Sequence, residues 1–273
     1  MSIEIAESLK KFAEARGIDI NGLQVPQTEE ERQQLKMNSY NESVGELTGY
    51  DCIKCKNRGD FLTYTDGIER FIDCECMEIR NSLKRLENAQ INISRYTFDG
   101  YRTDTTWRTQ IKKFALRYVV DDAGKWFFIG GQNGCGKSHI CTAISTELIK
   151  QGKQFKYMKW KDEGTKLKAL VNEADRYGEL IEPYKTADIL YIDDFFKTDK
   201  RTAPTAGDIN VAFEIIDARY NNSLQTIISS ERTIGEIMEA DKAVGGRIKE
   251  MTDGYCLDVP ADDRKDYRIN KGE

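Results

Sequence analysis

Along the chain, the spacing of apolar residues changes character near residue 95. Beyond it, short apolar runs of strand length alternate with stretches in which apolar residues recur every three or four positions. Residues 126–129, 155–159, 189–192, 225–229 and 255–259 read as five strands. Helices are expected near residues 137–151, 165–182, 208–221 and 243–251, the first from Ile140, Ile144, Leu148 and Ile149. This alternation predicts an α/β fold with a parallel sheet. The stretch from Lys197 to Gly207, with Thr202, Pro204 and Thr205, reads as a surface loop. Residues 1–90 are more polar and show no sustained sheet pattern. Ile5, Leu9, Phe12 and Ala13 predict an amphipathic helix, residues 29–37 a highly charged one, and residues 81–88 a third. A small N-terminal domain, 1–90, is therefore expected before a larger one, 91–273.

Composition narrows the class. Of the 273 residues, 32% are charged and 10% aromatic, which suits a globular protein with core material. No apolar run approaches a membrane span, and the first residues carry acids where a secretory signal carries bases, so a cytoplasmic protein is expected. In that setting the seven cysteines point to metal ligands or buried thiols rather than disulfides. A net charge of −5 argues against a protein that coats duplex DNA and leaves a local basic groove open. Lys153, Lys156, Lys159, Lys161, Lys166 and Lys168, interleaved with Tyr157 and Trp160, suit a groove for single-stranded DNA. A solvated lysine-rich face is the competing reading, because Asp162 and Glu163 interrupt the run.

The most specific chemistry lies between the first strand and its helix. Gly131, Gln132, Asn133, Gly134, Cys135, Gly136, Lys137 and Ser138 match G-x-x-x-x-G-K-[ST], the loop that cradles a nucleoside triphosphate. Its glycines let successive backbone N–H groups and the helix N-terminus face the phosphates. Lys137 supplies a point charge and Ser138 a hydroxyl for Mg²⁺. His139, the only histidine, opens the helix and reads as structural, and Cys135 as a small residue at a variable position. Hydrolysis also needs a carboxylate near Mg²⁺ and a group that orients water. The strand ending in Asp193-Asp194 offers both, Asp193 for the metal shell and Asp194 for the water, unless it is simply a solvated acidic turn. The strand ending in Ser230-Glu231 reaches the same edge of the sheet, where α/β proteins bind ligands. Arg247, on a short helix after Gly245 and Gly246, reads either as a surface arginine or as one that enters a neighbour's site.

Cys52 and Cys55 are separated by 18 residues from Cys74 and Cys76, and turn signals in between suggest a hairpin. Two thiolate pairs at the base of a hairpin form the tetrahedral set that structural Zn²⁺ prefers; four free thiols or a redox pair are the alternative.

These motifs, with Thr226-Ile-Ile-Ser-Ser230-Glu231, Gly246-Arg247-Ile248, Arg95-Tyr96-Thr97-Phe98 and Trp126-Phe-Phe-Ile-Gly-Gly131, resemble the AAA+ ATPases of the DnaC/DnaI helicase-loader family. The likeness is strongest to phage and prophage loaders that carry an N-terminal cysteine segment. The resemblance implies an AAA+ P-loop ATPase domain behind a small helical and zinc-hairpin domain. It implies ATP, Mg²⁺ and Zn²⁺ as cofactors, ATP-dependent self-assembly, and delivery of a hexameric replicative helicase onto single-stranded DNA. By position, Ser230-Glu231 would be the first sensor, Arg247 the trans-acting arginine, and Arg268 a second sensor. Many relatives carry Glu at position 194, so slow hydrolysis is implied. Glu231 stands where relatives often carry Asn, and Met251 where some carry a further Arg. Two alternatives remain: an IstB-like transposition helper ATPase, and a zinc-bearing adaptor that uses ATP as a switch with little hydrolysis.

Overall fold

The computed structural model describes residues 26, 28–121, 124–198, 202–262 and 265–266. The helix expected around residues 5–13 and the expected sensor Arg268 lie outside the described residues. The chain divides into two units, Met1–Cys74 and Glu75–Glu273.

In the first unit, helix α1 (Glu29–Glu42) begins at a capping box, Thr28 accepting from Glu31 N and Glu31 from Thr28 N. Strands β1 (Asp60–Thr65) and β2 (Ile68–Asp73) pair antiparallel, with Thr65 opposite Ile68. The two-residue turn uses Asp66 and Gly67, both at positive φ, as a tight hairpin requires. Asn41 docks α1 on the hairpin by donating to Leu62 O and accepting from Leu62 N, each at 2.9 Å.

The second unit is the expected parallel sheet. Its strands are β3 (Phe127–Gly131), β4 (Phe155–Lys159), β5 (Ile189–Phe195), β6 (Gln225–Ser230) and β7 (Cys256–Val259), in the order β4-β5-β6-β3-β7. All four pairings are parallel, so every strand delivers its C-terminal end to one edge. The helices are α2 (Cys76–Asn88), α3 (Thr106–Asp121), α4 (Lys137–Lys150), α5 (Trp160–Leu170), α6 (Ala174–Thr186), α7 (Ala206–Asn221), α8 (Ile234–Ala240) and α9 (Lys242–Met251). Strand alternation sends Phe128, Leu190, Ile192 and Ile228 into one core with Leu167, Ile181, Ile215, Ile237 and Ile248 from the helices. At about 25 cal/mol per Å² of apolar area, a core of this size dominates the stability of the unit.

Three departures from the sequence reading have physical causes. The helix expected at 165–182 is two helices, broken at residues 171–173, where Val171 and Asn172 are poor helix formers. It starts earlier because Trp160 is pulled under the sheet, edge-on to Phe195 and Phe196. Helix α3 was not expected at all; its Ile111, Ala115 and Tyr118 are buried at helical spacing, but the exposed Leu116 and Val120 blur its apolar stripe. Arg219 is fully buried, donating to Thr226 Oγ1 at 2.8 Å and to the carbonyls of Tyr184, Ala187 and Gln225. It thereby ties α7 to the β5 and β6 entrances.

Candidate active site

The phosphate loop leaves β3 through Gly131 at φ 99°, turns at Gly134 at φ 71°, and enters α4 through Gly136 at φ 93°. A Cβ at Gly131 would meet Val259 O at 2.2 Å, so glycine is required there for space as well as for conformation. Lys137 is buried and donates to Gly131 O at 3.0 Å and Gln132 O at 2.7 Å, which curls the loop back on itself. Ser138 Oγ donates to Asp193 Oδ1 at 3.0 Å, joining the loop to the end of β5.

Strand β5 runs three residues past its expected end and is irregular where it matters. Ile192 pairs with Ile228 and Phe195 with Ser230, so Asp193 and Asp194 together stand opposite the single residue Ser229. Such a bulge re-aims side chains. Asp193 collects hydroxyl donors: Ser138, Ser229, Tyr191 at 2.7 Å and Tyr157 at 3.1 Å. Burial first, then the Asp193 charge, pushes the Tyr157 and Tyr191 phenols far above their ordinary range, so both stay protonated donors. Asp194, at φ 55°, turns the other way; its N–H donates to Ser229 Oγ and its carboxylate pairs with Lys197 at 2.8 Å.

A cavity of about 650 Å³ opens over this edge, lined by the loop, by Asp194, Lys197 and Glu231, and by Arg95, Tyr96, Gly100 and Arg102. Lys197 pairs at once with Asp194 and with Glu231, 2.8 Å each. Burial works to raise the Glu231 carboxyl, but Lys197, then Asn133 and Lys137, outweigh it and hold the group below its usual range. His139 lines the cavity and bonds Thr97 O through Nε2 at 2.8 Å, its ring against Tyr96 and Tyr101. It thus fastens the 95–102 segment beside the phosphate loop.

The expected site residues separate into those at the cavity and those elsewhere. Asn133, Gly134, Gly136, Lys137, Ser138, His139, Asp194 and Glu231 line it, and Asp193 stands directly behind Ser138. Gln132 turns aside, accepting from Asp262 N, and Cys135 is fully buried under the loop, burial raising its thiol. Ser230 is buried too and donates to Phe195 O, while Ser229, opposite the bulge, donates to Asp193 Oδ1. Arg247 is outside the cavity, paired with Asp217 at 2.7 Å and lying over Phe213 and Tyr220. Of the two readings of the lysine run, the paired, solvated face is the nearer to the structure. Trp160 is core, Tyr157 faces Asp193, and Lys159, Lys166 and Lys168 are paired with Asp162, Glu163 and Asp208. Sequence reasoning missed Lys197, Ser229, Tyr157 and Tyr191 as site residues. Alternation along β5 carried a signal for Tyr191, two residues before Asp193.

Cys52, Cys55, Cys74 and Cys76 are all buried, with sulfurs within 4.8 Å of one another. The Cys52–Cys74 sulfur separation, 3.7 Å, matches the edge of about 3.8 Å of a tetrahedron with Zn–S bonds of about 2.3 Å. Lys56 and Asn57 at positive φ fold the chain back after Cys55, whose sulfur accepts from Gly59 N. This donor set fits a closed, four-sulfur metal site.

The family model for IstB-like ATP binding proteins matches residues 56–244. The phage-like element PBSX protein XkdC of Bacillus subtilis (strain 168) is 31% identical over 224 residues, covering 76% of this chain and 82% of that protein. Among solved structures, the DnaC helicase loader superposes with a TM-score of 0.51 at 18% identity, over 62% of this chain and 98% of that one. DnaI superposes with a TM-score of 0.50 at 21% identity, over 62% of this chain and 92% of that one. These two likenesses concern the fold. Among the described residues no helix is long and apolar enough to cross a membrane.

Proposed function

The chain belongs to the IstB-like ATP-binding proteins and is an AAA+ ATPase, and on that premise we propose that it loads a replicative DNA helicase onto single-stranded DNA. The observation that carries the reading is the combination of two built sites, the phosphate-loop cavity closed by Asp193 and the four-sulfur cluster. The fold shared with the DnaC helicase loader supports it.

In this reading Lys137 and the loop N–H groups bind the phosphates, and Ser138 with Asp193 holds Mg²⁺, which neutralises charge on the transferring phosphate. The residues present fit that ion: the Ser138 and Asp193 oxygens stand 3.0 Å apart, Ser229 and Tyr191 donate to the same carboxylate oxygen, and Tyr157 holds the other. Asp194 polarises the attacking water. Tyr96 and Arg102, which line the same cavity, would contact the nucleotide beyond its phosphates. Arg268 and Arg247 serve as second sensor and trans-acting arginine, Arg247 completing the site of a neighbouring copy. Zn²⁺ on Cys52, Cys55, Cys74 and Cys76 is structural, since four thiolates leave no open position. The small N-terminal domain, 1–90, engages the helicase, and the domain 91–273 hydrolyses ATP.

The test is capture of the host's replicative helicase by the full chain with and without ATP. Co-purification that depends on ATP is expected. Its absence moves the reading to an IstB-like transposition helper. The site itself is tested by Lys137→Ala, which removes charge-assisted contacts and should weaken ATP binding about a hundredfold. Unchanged affinity would overturn the assignment.

A further inference from the structure

The phosphate-side end of the cavity contains a cation that phosphate-loop chemistry does not call for. Lys197 Nζ lies 2.8 Å from Asp194 Oδ2 and 2.8 Å from Glu231 Oε1, and all three side chains line the same cavity as Lys137 and Ser138. The backbone that presents it is constrained from below. Asp194 and Phe196 both adopt φ 55°, a conformation that persists only where surrounding packing enforces it. Here Phe195 and Phe196 stack at 4.1 Å and are sealed against Trp160, and Lys197 N bonds back to Asp194 O at 2.9 Å. Lys197 is therefore aimed by the fold and does not reach the acids as a wandering surface lysine.

A triphosphate that enters this cavity brings its own negative charge toward Asp194 and Glu231. Two unscreened carboxylates in a partly desolvated site would repel the terminal phosphate by enough to change affinity about tenfold. We propose that Lys197 is a positioning and specificity-determining residue of the ATP site: it binds Asp194 and Glu231 into one ion-paired unit, so that the site accepts a terminal phosphate which those carboxylates alone would reject. The inference rests on the reading of this cavity as the nucleotide site. It also accounts for an acid at the end of β6, since Glu231 is compatible with a bound triphosphate only while Lys197 screens it. Because ADP lacks the terminal phosphate, the effect falls on ATP.

The experiment measures ATP and ADP affinities of the full-length protein with Mg²⁺, by competition against a fluorescent nucleotide. The variants are Lys197→Met, Lys197→Arg, Glu231→Gln and the double variant Lys197→Met/Glu231→Gln. Lys197→Met should weaken ATP about tenfold while ADP moves less than about twofold. Lys197→Arg, which keeps the charge, should stay within about threefold for both nucleotides. Adding Glu231→Gln to Lys197→Met should recover most of the lost ATP affinity, a coupling that a merely structural lysine would not show. Equal weakening of both nucleotides, or no recovery in the double variant, overturns the proposal. Failure of the nucleotide-site reading has a different signature: Lys137→Ala would then bind both nucleotides as the unaltered protein does.

Discussion

Tyr157 on β4 reaches across to β5 and donates its hydroxyl to Asp193 Oδ2 at 3.1 Å, on the opposite side of the carboxylate from Ser138. Residues that orient a metal ligand typically matter about ten- to hundredfold. Tyr157→Phe should therefore raise the Mg²⁺ needed for half-maximal ATP turnover about tenfold, while unfolding stability changes by about 1 kcal/mol. A magnesium titration of turnover checks this; an unshifted midpoint would reduce Tyr157 to packing.

Arg247 is tethered to Asp217 and to the faces of Phe213 and Tyr220 within its own chain. To act in a neighbour's site it must leave that cradle. Arg247→Ala is expected to leave ATP affinity within about twofold and to lower turnover at protein concentrations that favour assembly by about a hundredfold or more. Turnover that is insensitive to the change under those conditions would leave Arg247 as a brace between α9 and α7, worth about 1 kcal/mol.

The only histidine offers a pH probe of the segment over the site. Burial, then the nearby Arg95 and Lys112, lower the His139 pKa in the folded chain, although its bond to Thr97 O opposes this. A base with a depressed folded pKa favours the folded state while neutral. This stabilisation is complete above the unfolded value of about 6.5 and is lost as pH falls below it toward the folded pKa. Urea unfolding at neutral pH and at about pH 5.5 should show lower stability in acid. His139→Phe should flatten the part of that slope that the imidazole causes.

The four-cysteine cluster should hold one Zn²⁺ per chain by metal analysis, and Cys55→Ser should lose it. A strong chelator should then unfold the 28–74 region, whose small hairpin buries little core of its own. The change is read as a loss of protease resistance there with the 75–262 region intact. Full resistance after the metal is removed would show that the hairpin holds without it.

The sheet was legible because each strand is a short apolar run between turn residues, and the phosphate loop because its chemistry tolerates few alternatives. The place of Asp193 beside the loop was legible because it ends one of those apolar runs. The bulge was not: nothing in Ile192-Asp-Asp-Phe195 distinguishes a strand that ends from one that kinks and continues. Every consequence of that kink was therefore hidden, from Ser229 taking the inward position to Lys197 turning back on the two acids. Helix α3 escaped because the exposed Leu116 and Val120 put apolar residues on its solvent side and blur the period. In the lysine run, the partners of Lys159 and Lys166 were legible as the interrupting acids Asp162 and Glu163, whereas Asp208, which pairs with Lys168 from a distant helix, was not.

The left-handed backbone at Asp194 also bears on which acid can stand there. Asp and Asn are enriched in that region because their short side chains can bond locally, whereas longer side chains gain no such compensation. Asp194→Glu would extend the carboxylate by one methylene toward a bound water, yet place a residue less suited to the turn, at a cost of order 1 kcal/mol. Reach and backbone comfort thus pull in opposite directions at this position. A faster enzyme made by that single exchange would be a less stable one, unless the kink between Ile192 and Phe195 were relaxed at the same time.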